Sequence, residues 1–248
     1  MMLARVTAGV LAALAASSLA ACESTQDTNR RMAEQAKKVA KESGVTIGRE
    51  NASIAVTRSA VVHDANGTAA VVLLRNRGGA QANVPIGIAL SDAKGRKLYS
   101  NDVAGLDKSL TSIAAVGPRT STFWVNNQIQ AASPPRRATA KVGTARAGGV
   151  PALPRMELTK VVFERDTDGV FARGVVANRS KLPQLRLVIA CISTRGSKVL
   201  AAGRAIIDRL APAPTPKPVT FRVYFIGNPK GGTLTCTAPP TVLPGASS

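Results

Sequence analysis

Asp64 and Gly67 of this 248-residue chain return as Asp166 and Gly169, and Asn76-Arg77 returns as Asn178-Arg179, all at one constant offset of 102 residues. Ile88-Ala89-Leu90-Ser91-Asp92-Ala93-Lys94-Gly95-Arg96-Lys97-Leu98 is then answered by Ala190-Cys191-Ile192-Ser193-Thr194-Arg195-Gly196-Ser197-Lys198-Val199-Leu200. Farther on, Thr122-Phe123-Trp124-Val125 is matched with Thr220-Phe221-Arg222-Val223, each after a stretch containing proline. A period near 100 residues is the size of a domain and not of a solenoid unit. The chain therefore reads as two related domains.

Within each unit the apolar period is that of strands. Ile54 to Val62 alternates, Thr68 to Leu74 is a β-rich run, and Val84 to Leu90 alternates around Pro85. Between them lie Asp64-Ala65-Asn66-Gly67, Asn76-Arg77-Gly78-Gly79 and Asp92-Ala93-Lys94-Gly95, whose residue types supply turns. Short strands spaced about ten residues apart with turn chemistry between them form the pattern of a β-sandwich. Aromatic residues make up only 3% of the chain, so its core must be built from Val, Ile, Leu and Ala.

The order inside a unit is a hairpin, an Asn-containing turn, an apolar strand, a charged Gly turn (Lys94-Gly95; Arg195-Gly196) and a further strand. In the second unit a proline loop (Leu210-Ala211-Pro212-Ala213-Pro214) then leads into the Thr-Phe strand. This order resembles the FxLYD-type and related immunoglobulin-like domains of bacterial envelope proteins. The likeness runs from about Val161 to Val223 in the second unit and is weaker in the first. Val188-Ile189-Ala190-Cys191 stands where that family carries bulkier residues. The resemblance implies an extracytoplasmic interaction or spacer module and brings no catalytic residues with it.

The N-terminus has the zones of a secretory signal: a charged start at Met1 to Arg5, an apolar stretch from Val6 to Ala16, and small residues from Ser17 to Ala21. It ends in Leu19-Ala20-Ala21-Cys22, which resembles the bacterial lipoprotein lipobox. That resemblance implies cleavage before Cys22 and lipid on its sulfur. Two or three acyl chains, at about 0.8 kcal/mol per buried methylene, give lasting attachment. The polar, lysine-rich stretch 23–49 follows. It reads as a solvated basic spacer, the alternative being a short helix capped by Asn29 whose basic residues rest on anionic headgroups.

Lys and Arg outnumber Asp and Glu by 33 to 14, a net charge of +19. On an exported, membrane-tethered chain such a charge points to anionic lipid headgroups, wall polymers or acidic glycans. Nucleic acid is not expected, because an exported, tethered protein seldom meets it, and with no basic run interleaved with aromatics a stacking platform for single strands is not supported. Beyond Cys22 the cysteines are Cys191 and Cys236, for which a structural disulfide is favoured over two free thiols. They would lie in neighbouring strands of one sheet or face each other across the core.

Nucleophilic catalysis needs a base. His63, the only histidine, is read as an exposed turn residue beside Asp64. Asp166-Thr167-Asp168-Gly169 opens like a calcium loop but lacks the later bidentate Glu, so a β-turn accounts for it. Trp124 is expected in the core, with a surface contact as the alternative because its matched position is Arg222. Asn51, Asn66 and Asn178 begin glycosylation-like triplets that carry little meaning in a bacterial lipoprotein.

The expected fold is all-β: two tandem immunoglobulin-like β-sandwich domains after a signal peptide and a short basic linker. The boundaries read as 1–21 signal, 22–49 lipidated Cys22 and linker, 50–146 first sandwich, 147–154 linker, 155–243 second sandwich and 244–248 tail. The functional expectation is a non-catalytic envelope protein without metal or cofactor, anchored through Cys22. It would face outward from the cytoplasmic membrane or, in a diderm, sit in the outer membrane. It would bind an anionic wall polymer or lipid headgroup, or space something from the membrane. An accessory subunit that recognises an envelope protein is the alternative, and an enzyme is the least supported reading.

Overall fold

The computed structural model describes residues 44–145, 150, 152–213 and 217–245. The signal segment, Cys22 and the stretch beginning at Asn29 lie outside the described residues. The first half contains β1 (Ile54–Asp64), β2 (Gly67–Asn76), β3 (Gln81–Ser91), β4 (Lys97–Ser100), β5 (Ser112–Val116), β6 (Ser121–Ile129) and β7 (Arg137–Val142). The second contains β8 (Met156–Asp166), β9 (Gly169–Asn178), β10 (Gln184–Arg195), β11 (Lys198–Leu210), β12 (Val219–Tyr224), β13 (Ile226–Gly227) and β14 (Thr233–Thr237). One 3-10 turn, Lys108–Leu110, stands between β4 and β5, and no α-helix occurs among the described residues.

The repeat is literal in the backbone. β1 and β8, and likewise β2 and β9, begin and end 102 residues apart. Both hairpin turns place glycine at a φ of 134°, at Gly67 and Gly169, a conformation side chains disfavour. In each the preceding aspartate accepts the N–H two residues on, Asn66 at 2.8 Å and Asp168 at 3.0 Å. At the far end of β2 and β9, Asn76 and Asn178 are fully buried, and their amides donate to loop carbonyls of Gly79, Gly117 and Leu182 at 2.7 Å. An Asn there satisfies backbone groups that would otherwise be buried without partners.

Each half folds into two antiparallel sheets. The first pairs β1-β2-β6 against a sheet in which β3 lies between β7 and the segments β4 and β5. The second pairs β8-β9-β12 against β13-β11-β10-β14. Strict alternation along β3 sends Val84, Ile86, Ile88 and Leu90 into the first core with Leu74 and Trp124. Leu187, Ile189, Leu210 and Phe221 fill the second core.

A third apolar layer joins the halves. Ala69, Val71, Phe123 and Val125, on the outer face of β1-β2-β6, pack against Ala190, Ile192, Val199, Ala202 and Ile226 of the second half. The two middle sheets are thus covered on both faces, which makes four stacked β layers. This explains why β10 carries the unbroken apolar run Leu187 to Ile192 whereas β3 alternates. Leu243 near the C-terminus packs on Ala82 and Ala115 of the first half, beside Val150 and Leu153. Residues 43–248 form one unit that completes all of these cores within itself, so it has what it needs to fold alone.

The ladder corrects two pairings read from the sequence. Ile88 corresponds by face to Cys191 and not to Ala190, and the Thr-Phe strand is shifted as well. Trp124 lies opposite Val72, and Phe221 lies opposite Gly174, which is the repeat partner of Val72. Trp124 therefore corresponds to Phe221, and Arg222 to Val125. Aligning Phe with Phe slips the strand by one residue and swaps its faces. A Cβ on Gly174 would come within 2.8 Å of the Phe221 ring, which takes the room that Val72 and Trp124 share in the first half. Trp124 is 4% exposed and belongs to the core.

Cys191 and Cys236 are bonded, and they face each other directly in the β10-β14 ladder. The neighbouring-strand geometry is the one realised. Ile88 opposite Ala140 holds the corresponding place in the first half. Replacing the bridge by that apolar pair, Cys191→Ile with Cys236→Ala, keeps the packing and removes a crosslink over 45 residues. Urea unfolding should show a loss of about 2–4 kcal/mol with the native β spectrum retained. Val71→Arg should cost about 3–5 kcal/mol by stranding a charge in the shared layer. The reverse change at its repeat partner, Arg173→Val on an exposed face, should stay within about 1 kcal/mol.

Candidate functional site

Two regions gather charged or apolar groups that the fold does not consume. One is the hairpin end of β3. Ser91 is paired with Lys97 on one side and Arg137 on the other. Lys94 and Arg96 occupy the turn, Arg136 adjoins Arg137, and all five cations are exposed. Two acids stand among them. Asp92 accepts the N–H groups of Lys94 and Arg96 at 2.9 Å and lies 3.2 Å from the Arg96 guanidinium. The Arg96 N–H leads the contacts that hold the Asp92 carboxyl below the usual range. The carboxyl of exposed Asp102 accepts from the Ser100 hydroxyl and feels the charge of Lys97. The patch is positive, five cations against two acids, and both acids are occupied by hydrogen bonds.

The other region is a cleft between the two sandwiches. Its wall begins in an insertion: 13 positions separate Tyr99 from Ser112, where 5 separate their counterparts Ala201 and Ile206. Asn101, 1% exposed, patches the ladder where β4 departs. Its amide donates to the carbonyls of Ile86 and Leu110, and its oxygen accepts the Ile88 N–H. The inserted segment then makes the 3-10 turn, capped by Asp107, which accepts the Ser109 N–H at 2.9 Å.

Three side chains lock that turn. The Trp124 indole donates to the Ser109 carbonyl at 2.9 Å. Arg204 of β11, 8% exposed, donates to the same carbonyl at 3.3 Å and to the Ser109 hydroxyl at 2.7 Å. Arg186 of β10 donates to Asp107 at 2.6 Å. Arg186 and its repeat counterpart Asn83 both sit at left-handed φ, 48° and 49°, and both line the cleft. Burial lowers the Arg204 guanidinium, and the nearby Asp107 charge opposes it. Burial raises the Asp107 carboxyl, but the hydrogen bonds from Ser109 and Arg186 outweigh it and leave the group below its ordinary value. The volume of the cleft is about 240 Å³.

The residues singled out in the sequence are scattered. His63 is on the last rungs of β1 and not in the turn. It faces Thr68 across the ladder, and its ring nitrogen shares a 2.8 Å hydrogen bond with the Thr68 hydroxyl. Asp166 is a turn residue whose second oxygen accepts from the Tyr224 hydroxyl at 2.7 Å. Among the described residues, no group of three His, Cys, Asp or Glu converges. No described helix is long and apolar enough to cross a membrane. Asp107, Ser109, Arg186 and Arg204 were not foreseen. The signal that could have pointed to them is the break in the repeat between Leu98 and Ser112.

The chain matches no protein-family model and no curated protein.

The lowered Asp107 carboxyl makes its contribution to stability at pH values above the unfolded value of about 3.9, and loses it as pH falls through the lower folded value. Wild type should therefore exceed Asp107→Asn in unfolding free energy at neutral pH. The gap should close on acidification below about pH 4. Urea titrations of both proteins across that range measure it, and a gap that widens toward acid would contradict the assignment.

Proposed function

We propose that this chain is a non-catalytic protein of the cell envelope, anchored through lipid on Cys22, that engages an anionic envelope component through the hairpin end of its first sandwich. The observation that carries this reading is the set of five exposed cations, Lys94, Arg96, Lys97, Arg136 and Arg137, against two acids, Asp92 and Asp102, that are both occupied by hydrogen bonds. Lys and Arg near an anionic surface contribute about 1 kcal/mol each, so five together suffice for reversible binding where one does not.

A second reading rests on a different surface. The outer face of β8-β9-β12 is the repeat counterpart of the face on which the second sandwich sits. It presents Val162, 45% exposed, beside Arg173. A protein partner seated there would make this chain an accessory subunit.

Salt separates the two readings. Residues 43–248 should sediment with phosphatidylglycerol vesicles or wall polymer, and not with phosphatidylcholine vesicles. Raising ionic strength from about 0.01 to about 1 M shortens the screening length from about 30 to about 3 Å and should release them. Lys97→Glu with Arg137→Glu should weaken binding by about thirtyfold or more. Binding that withstands both salt and charge reversal would defeat the first reading.

A further inference from the structure

The cleft has an apolar interior and a cationic mouth, a pairing that the hairpin end lacks. Ile113, Trp124, Val188, Ile206 and Pro239 line it. Leu185, 47% exposed, stands at its opening as one of the large apolar side chains the fold leaves uncovered. Apolar cavities stay dry and accept apolar guests. At about 240 Å³ this one is smaller than the roughly 300–1,000 Å³ of pockets that enclose drug-sized ligands. It has room for one hydrocarbon chain.

Charge selects the rest of the guest. Lys108 and Arg186 stand at the cleft, and Arg204 lies behind Ser109. Against these three cations there is one carboxylate, Asp107, and its oxygens are already engaged by Ser109 and Arg186. A cationic guest would meet repulsion with no free acid to offset it. An anionic group would find the remaining N–H donors of the Arg186 guanidinium, whose side chain is 62% exposed, and the exposed Lys108 ammonium.

We propose that the cleft between the sandwiches binds a single-chain anionic amphiphile, with the hydrocarbon chain inside and the head group held by Arg186 and Lys108. This goes beyond the surface reading above and does not depend on it. Asn83 at the cleft and Ser91 at the basic patch are eight residues apart on β3, about 27 Å of extended strand. The head can be a carboxylate, as in a free fatty acid, or a phosphate, as in a lysolipid-like monoester.

Trp124 is the only tryptophan in the chain and lines the cleft, so its emission reports occupancy. Residues 43–248 are titrated with decyl phosphate, decanoate and decanol below their aggregation thresholds, and calorimetry gives the stoichiometry. The expected result is a saturable emission change at one ligand per chain, with either anion at least about tenfold tighter than decanol. The tighter of the two anions identifies the head. Lys108→Ala with Arg186→Asn, the latter chosen because Asn tolerates positive φ, should weaken the anions about tenfold and leave decanol within about twofold. Val188→Phe should fill the cleft and abolish binding. Should that variant fail to unfold cooperatively, Leu185→Ser at the open mouth serves instead and should weaken all three ligands. No saturable signal, decanol equal to the anions, or anion binding indifferent to the mouth variant would each overturn the proposal. Lys97→Glu with Arg137→Glu should leave amphiphile binding unchanged, so failure here and failure of vesicle binding are read separately.

Discussion

The apolar layer shared by β1-β2-β6 and β13-β11-β10-β14 is what the rest of the structure depends on. Without it each half would expose a face of Ala, Val, Ile and Phe side chains, among them Val71, Phe123, Ala190 and Ile192. Chains that poor in aromatics have little core to spare, since each Val or Ala buries less surface than a Phe or Trp. Burying both faces of the two middle sheets recovers apolar area from residues a lone sandwich would leave wet. The layer also sets the cleft, because Phe123, Val125 and Ala190 belong to both.

The repeat explains why the stack stops at four layers. Val71 and Val125, buried at the shared layer, have Arg173 and Arg222 as counterparts on the second half. There Arg173 pairs with Glu164 at 2.6 Å, and Arg222 lies 5.1 Å from the centre of the Phe171 ring. Those cations would be stranded under another apolar sandwich face, so the stack of sandwiches does not continue there. At the opposite end the outer surface of β3 is small, with Pro85, Gly87 and Ala89. It is crossed by the segment before β1. A Cβ on Gly87 or Gly143 would come within 3.1 or 2.9 Å of Ile47. The turn aspartates diverge in the same manner. Asp64 uses its second oxygen to accept the Gly227 N–H across the shared layer, while Asp166 uses it for Tyr224.

Much of this fold was legible because turn chemistry is local. Asp-to-Gly hairpins and buried Asn corners recur at an offset of 102, and strands follow them residue by residue. The shared layer was less legible, although its trace is present: Ala69 to Leu74 and Leu187 to Ile192 are unbroken apolar runs, whereas Val84 to Leu90 alternates. An unbroken run says that both faces are covered, but not by what. The slip at Trp124 arose because identity of type outweighed identity of face. The cleft was illegible for a physical reason. Its polar residues come from an insertion without a repeat counterpart, from a left-handed position on β10 and from the middle of β11, and only tertiary packing brings them to Ser109.

The two surfaces gain meaning from where the chain would be tethered. In the anchored state proposed, Cys22 and Ser43 are separated by 21 residues, a contour of at most about 75 Å. The tether enters the first sandwich, where Asn51 donates to Val142 of β7 at 2.8 Å. That strand also carries Arg137 of the basic patch. One contact worth about 1 kcal/mol is too weak to localise a free protein, and five hold it only reversibly. On a chain already held within that distance of the membrane they need only supply orientation, because tethering converts the encounter into an intramolecular one at high effective concentration. A patch of five cations is then enough to decide which face of the stack looks toward anionic surface. With the cleft some 27 Å along the same strand, the same contact fixes how far its mouth stands from that surface.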